Sequence, residues 1–154
     1  MSTSVQSPLA GRAVRLEDVP DPIFAQAMVG PGAAVDPPRE VVDALAPISG
    51  KLLKMMPHAY IILAADGTGV LVHLGIDTVQ LNGEGFTLLA KEGDDVAAGQ
   101  PVVIYDVPLV EAAGKNPIVP VIALERLAEN LTIGDAVTSG ADVTGSDTLF
   151  TING

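Results

Sequence analysis

The chain has 154 residues, a formal net charge of −11 and no cysteine. The length suits one domain with a sizeable core. The charge argues against nucleic acid and anionic membrane surfaces, which demand basic patches. The missing thiol rules out disulfides, thiolate chemistry and cysteine metal sites. Hydrophobic residues make up 48% of the chain and charged residues 18%, which argues against disorder. With 16 Gly, 12 Pro and 3% aromatics, many short strands around an aliphatic core are expected rather than long helices. The start has neither the basic nor the apolar region of a signal peptide, and no apolar run approaches a membrane span, so a soluble, cytoplasmic protein is expected.

In chain order, residues 1–6 read as a flexible polar tail and residues 7–154 as a single domain. Ser7-Pro8-Leu9-Ala10-Gly11-Arg12 opens a strand over 12–16. The same shape returns at Ala46-Pro47-Ile48-Ser49-Gly50-Lys51, each copy reading small-Pro-apolar-small-Gly-basic. That predicts an internal repeat, two half-units building one β-structure. Between the copies lie a Pro20/Pro22 turn, one helical turn at 23–27, a Gly/Pro-broken strand at 28–35 and a charged loop at 36–43. Further strands are expected at 86–89, 102–105 and 118–124, a helical turn at 108–113 and a short helix at 125–131. Gly turns and short strands then alternate over 133–152. Strands at this spacing predict an all-β, antiparallel sandwich or barrel.

The chemistry converges on residues 57–79. The two histidines, His58 and His73, both lie in apolar runs, where an unpaired imidazole is costly to bury. Residues 60–63 and 70–74 are strand-like, and Ala65-Asp66-Gly67-Thr68-Gly69 between them is turn chemistry. A two-residue Asp66-Gly67 turn sets His73 opposite Tyr60 and His58 opposite Gly75. A loop running from Asp66 to Gly69 sets His58 opposite Asp77 instead. Both registers put the two imidazoles on one face, shared with Leu71, Gly75 and Asp77. Val70, Val72, Leu74 and Ile76 line the other face and read as core, and Gly75 is expected to leave a gap beside His73. A lone histidine on an apolar strand is commonly a satisfied core residue; two beside a Gly and an Asp form a candidate site.

These residues carry a family resemblance. His58-Ala59, then His73-Leu74-Gly75-Ile76-Asp77-Thr78-Val79, then Leu81-Asn82-Gly83-Glu84-Gly85-Phe86 and Gly99-Gln100-Pro101, resemble the glucose-type enzyme IIA of the bacterial phosphoenolpyruvate:sugar phosphotransferase system. The flanks Val19-Pro20-Asp21-Pro22-Ile23-Phe24 and Pro117-Ile118-Val119-Pro120-Val121 agree, and the variants are similar to the high-GC Gram-positive branch. The resemblance implies an antiparallel β-sandwich of duplicated-hybrid-motif type and a phosphohistidine carrier that needs no cofactor. His73 would take a phosphoryl group from phospho-HPr and pass it to a cysteine on the IIB domain of a separate sugar permease. His58 would stabilise the phosphate, and a backbone carbonyl near Gly75 would hold the second nitrogen of His73. Asp77, Gly75, Leu74 and Tyr60, with Ala33, would fall at partner-docking positions. Regulatory binding to metabolic proteins would follow the phosphorylation state. Two departures stand out: Met56-Pro57 replace the Thr-Asn that many members carry, and Gly30-Pro31-Gly32 replaces Gly-Asp-Gly.

Other classes fit less of the chain. A zinc hydrolase could use His58, His73 and Asp77, but two histidines make a thin ligand set, and zinc on the histidine pair is better completed by a partner. A biotinyl- or lipoyl-type carrier would explain residues 92–100 and Lys54-Met55-Met56, but that Lys does not sit at a hairpin tip. A purely regulatory binding protein is the third reading.

Overall fold

The computed structural model describes residues 2–145 and 147–153. The repeat seen in sequence organises the whole architecture. One copy opens with β1 (Ser2–Gln6) and β2 (Gly11–Arg15), the other with β4 (Val41–Leu45) and β5 (Gly50–Met56). β1 and β4 have the same burial pattern, position for position, and each runs through a Pro-centred bend into the next strand. The bends are joined reciprocally: Gln6 N–H donates to the Pro47 carbonyl (2.9 Å) and Leu45 N–H to the Pro8 carbonyl (2.7 Å). Such an exchange is what a two-fold relation between the copies produces.

The remaining strands obey it. They are β3 (Gly32–Asp36), β6 (Ala59–Leu63), β7 (Gly69–His73), β8 (Phe86–Leu88), β9 (Asp95–Val96), β10 (Pro101–Asp106), β11 (Val119–Ala123), β12 (Leu131–Ile133), β13 (Asp142–Val143) and β14 (Thr148–Asn153). The large sheet runs β13-β2-β3-β11-β7-β6-β5-β9, and two small sheets run β1-β14-β12 and β4-β10-β8. Exchanging the copies maps the large sheet onto itself and one small sheet onto the other. Arg12 faces Asp36 as Lys51 faces Leu63, and Ala33 faces Val121 as Tyr60 faces Val72. Val121 and Val72 are therefore equivalents of each other, and they also pair with each other, so the axis passes between them.

Burial follows the pleat. Side chains on one face of the large sheet, among them Tyr60, Ile62, Val70, Val72, Val119 and Val121, form the main core with the small sheets. Those on the other face, Ala34, Ala59, Leu71 and Ile122, pack under Leu16, Val19 and Phe24. Leu16 opens a single 3-10 turn, and Phe24 lies on α1 (Pro22–Ala25). Burial on both sides explains why strand β7 reads as a continuous apolar run rather than an alternation. Among the described residues α-helices are confined to α1, α2 (Val107–Ala112) and α3 (Asp135–Ser139), beside three short 3-10 turns. Among the described residues no helix is long and apolar enough to cross a membrane.

Several expectations are corrected. Residues 2–6 are no frayed tail, because β14 offers them an edge and Val5, opposite Phe150, is fully buried. The second half of the 36–43 loop enters β4, and the 125–131 helix reduces to a 3-10 turn, Ala128–Asn130, running into β12. The β6–β7 register differs from both expected ones: His73 faces Ala59 and Leu63 faces Gly69. The loop has an odd count. Ala64 N–H closes it on the Thr68 carbonyl (2.8 Å), the Asp66 carboxylate accepts from Thr68 N–H (2.9 Å), and Gly67 takes a φ of 90° that L side chains resist.

Removing residues 2–6, or truncating the buried side chain with Val5→Ala, is expected to destabilise the protein. The point change should cost about 2 kcal/mol, some 4–8 °C in Tm at this size. Calorimetry checks this; an unchanged Tm on deletion would restore the frayed-tail reading.

Candidate functional site

His73 is the last residue of β7. The one-residue register shift would put it on the opposite face from His58 if both lay in regular strand. They meet because His58 stands in the turn between β5 and β6, outside the pleat, with its carbonyl accepting from Leu74 N–H (2.7 Å). The two rings lie 5.2 Å apart between centroids, edge to face at 76°. Phe24 covers His73 from α1, with centroids 5.1 Å apart. Asp21 caps that helix, its carboxylate accepting from Ile23 N–H (2.9 Å).

The His73 ring is held by its Nδ1, which faces the Gly75 carbonyl at hydrogen-bond distance. A carbonyl only accepts, so Nδ1 carries the proton, and in the neutral ring Nε2 keeps the lone pair. The loop beyond His73 is tightly fixed. Thr78 hydroxyl donates to the Leu74 carbonyl (2.7 Å), and Ile76 N–H donates to the Asn116 carbonyl (2.8 Å). Asp77 is exposed, in left-handed conformation at φ 60°.

Burial is the largest influence on both imidazoles and pushes both below the ordinary value of 6.5. For His58 the neighbouring His73 adds to the lowering. For His73 the Gly75 carbonyl and the carboxylates of Asp21 and Asp77 act in the opposite direction. Both rings are thus neutral at pH 7, the state in which an imidazole can be a nucleophile. Among the described residues no group of three or more His, Cys, Asp and Glu side chains could hold a metal ion, so the histidine pair lacks the third ligand of a catalytic zinc site.

The structure brings together His58, His73, Gly75 and Asp77. It does not bring Tyr60, Leu74 or Ala33 to a docking surface: all three are 0% exposed and belong to the main core. The register places Tyr60 and Leu74 on the inward side of the sheet, and the Tyr60 hydroxyl is spent on the Leu45 carbonyl (2.7 Å). Gly75 leaves no gap. A Cβ there would stand 2.5 Å from Thr78 Cγ2 and 3.2 Å from both the Asn116 carbonyl and the Tyr105 hydroxyl, and its φ is +88°. Among the described residues no hydroxyl bonds the His58 ring in place of the threonine that Met56-Pro57 displace. Asp21 and Phe24 entered the sequence reading only as flanking residues of the resemblance; a capping Asp followed by a Pro-started turn was the local signal for them. Apolar Ile23 and Val79, adjacent in sequence to Phe24 and close to Asp77, are 47% and 59% exposed.

A β-sandwich presenting a paired, neutral imidazole with one free nitrogen is chemically suited to group transfer. The comparisons make the class definite. The family described as "phosphoenolpyruvate-dependent sugar phosphotransferase system, EIIA 1" matches residues 3–128. A glucose-specific EIIA component of the phosphotransferase system from Staphylococcus epidermidis is 41% identical over 120 residues, spanning 77% of this chain and 71% of the relative. One from Bacillus cereus is 36% identical over 143 residues, spanning 90% and 86%. Among solved structures, the glucose permease IIA from Mycoplasma capricolum superposes with a TM-score of 0.86 at 28% identity, over 98% of this chain and 96% of that one. The chain belongs to the glucose-type EIIA family, and is a phosphotransferase component of that system.

Two outcomes are expected at this site. Gly75→Ala should lower stability by about 1–3 kcal/mol, since alanine must adopt a sparsely populated conformation against Thr78; denaturant unfolding measures it. The histidines also leave a pH signature. Their folded pKa values lie below the unfolded ones, so the unfolded state binds more protons as pH falls below 6.5. Stability is full above that pH and declines below it, down to the folded pKa values. His58→Gln and His73→Gln should each flatten this part of the stability profile, and an unchanged profile would contradict the assigned burial effect.

Proposed function

We propose that His73 is the phosphoryl carrier and that it works through Nε2. The observation carrying this reading is the neutral ring whose Nδ1–H is committed to Gly75, leaving the other nitrogen's lone pair free beside a second imidazole. The Nε2 lone pair attacks phosphorus in the phosphohistidine of phospho-HPr; the donor P–N bond breaks and its electron pair returns to the donor ring. Onward transfer places the group on a cysteine thiolate of the IIB domain of a separate sugar permease, and the His73 electron pair is restored. Little covalent assistance is needed, so positioning and charge stabilisation dominate.

His58 changes role with the state of its neighbour. While His73 is unphosphorylated, burial lowers the proton affinity of His58. Beside a phosphoryl dianion the sign reverses, and a protonated His58 becomes a donor to the phosphate. No cofactor enters the reaction, which takes place in the cytoplasm. Exposed Asp77 and apolar Ile23 and Val79 suit a partner face with cations around an apolar centre. Proteins that read the phosphorylation state would use the same face.

The test is intact mass after incubation with phosphoenolpyruvate, enzyme I and HPr, followed by addition of the IIB domain. Wild type should gain one acid-labile phosphoryl adduct and lose it to IIB. His73→Gln should gain none; His58→Gln should gain it and fail to pass it on. An adduct that survives in His73→Gln and vanishes in His58→Gln would reverse the assignment.

A further inference from the structure

The Gly75 carbonyl decides which nitrogen of His73 is free, so whatever holds that carbonyl sets the chemistry. The segment under it is residues 116–118. The Asn116 carbonyl accepts from Ile76 N–H (2.8 Å), while its side-chain Oδ1 accepts from Ile118 N–H (3.0 Å), closing an Asx turn. Pro117 has no N–H, so its only backbone hydrogen-bonding group is its carbonyl. That carbonyl accepts from the Tyr105 hydroxyl at 2.8 Å. Tyr105 is fully buried on β10, stacked against Phe86 with centroids 5.5 Å apart. Burial raises its pKa well above the ordinary value, so it remains a donor throughout the working range. The same hydroxyl lies against the Cα side of Gly75, where a Cβ would be 3.2 Å away.

We propose that Tyr105 and Asn116 are positioning residues for phosphoryl transfer: together they clamp the 116–118 segment, which holds the Gly75–Ile76 loop and so fixes the tautomer and aim of His73. Neither residue touches the reacting nitrogen. When the clamp is loosened, the Gly75 carbonyl is held less firmly. His73 then drifts toward the Nε2–H tautomer that free imidazole favours, which puts the lone pair on the wrong nitrogen. This rests on His73 as carrier, yet the tautomer is observable without any transfer.

The molecule supplies its own control. It has two tyrosines, both buried, each donating to a backbone carbonyl; Tyr60 does so to Leu45, inside the main core. Tyr105→Phe and Tyr60→Phe therefore remove matched hydrogen bonds, one under the site and one in the core. The experiment compares these two variants with Asn116→Ala and Asn116→Asp, reading the 15N shifts of the His73 ring, Tm, and the rate of phosphoryl acceptance from phospho-HPr. Tyr105→Phe and Asn116→Ala should shift the ring toward Nε2–H and slow acceptance about three- to tenfold at unchanged KM. Asn116→Asp keeps the Oδ acceptor and should restore both. Tyr60→Phe should lower Tm comparably and leave ring and rate as in wild type. An unshifted tautomer in Tyr105→Phe, or an equal shift in Tyr60→Phe, would overturn the proposal. A shifted tautomer in a protein whose wild type accepts no phosphate would leave the positioning intact and overturn the carrier reading instead.

Discussion

The pairing of β7 with β11 is the constraint from which the rest of the structure follows. Val72 and Val121 occupy equivalent places in the two copies and face each other across the axis, both fully buried. Every other strand of the large sheet is added outward from that pair in matched order, and each copy supplies one small sheet to close the main core. The second copy, β4 to β10, is contiguous, whereas the first is split around it into β1–β3 and β11–β14. Insertion of one copy inside the other brings the first and last strands of the chain together.

Equivalence of the copies does not extend to chemistry. The position matching His73 is Ile122, and the one matching His58 is Pro31, as the paired registers require. Ile122 is a plain core residue, fully buried on the face that His73 edges. A single duplicated framework thus holds one of the paired imidazoles at the end of a central strand of the large sheet. The ring one residue from the axis inherits their rigidity, and its second nitrogen is held by backbone rather than by a mobile side chain. Preorganisation of this kind reduces what must be ordered at the moment of transfer.

How far the sequence could be read depended on where the deciding interaction lay. The two Pro-centred motifs at Ser7 and Ala46 were legible because a local bend leaves a local signature. The histidine pair was legible because there are only two, in strand-like runs close together. The hairpin register was not: an Asx contact at Asp66 and a left-handed Gly67 set an odd loop, and composition alone does not count its residues. His58 and His73 met for a reason other than parity, the turn that frees His58 from the pleat. β1 was illegible for want of its partner, which lies at the opposite end of the chain. Tyr60 and Leu74 read as surface positions only through the resemblance; in the structure both side chains belong to the main core.

The acidic character of the chain acquires a meaning at the site. Asp21 and Asp77 both raise the proton affinity of His73 against the lowering by burial. On the proposed role, they keep Nε2 basic enough to attack phosphorus. Once the phosphoryl dianion is in place, the same two carboxylates repel it. His58, by taking a proton, offsets that repulsion. Carboxylates that favour arrival and disfavour retention make a carrier rather than a store, and a partner bringing cations to Asp77 removes part of the repulsion on docking. On that role the balance turns on one neutral imidazole next to another, each kept uncharged by burial until the phosphoryl group arrives.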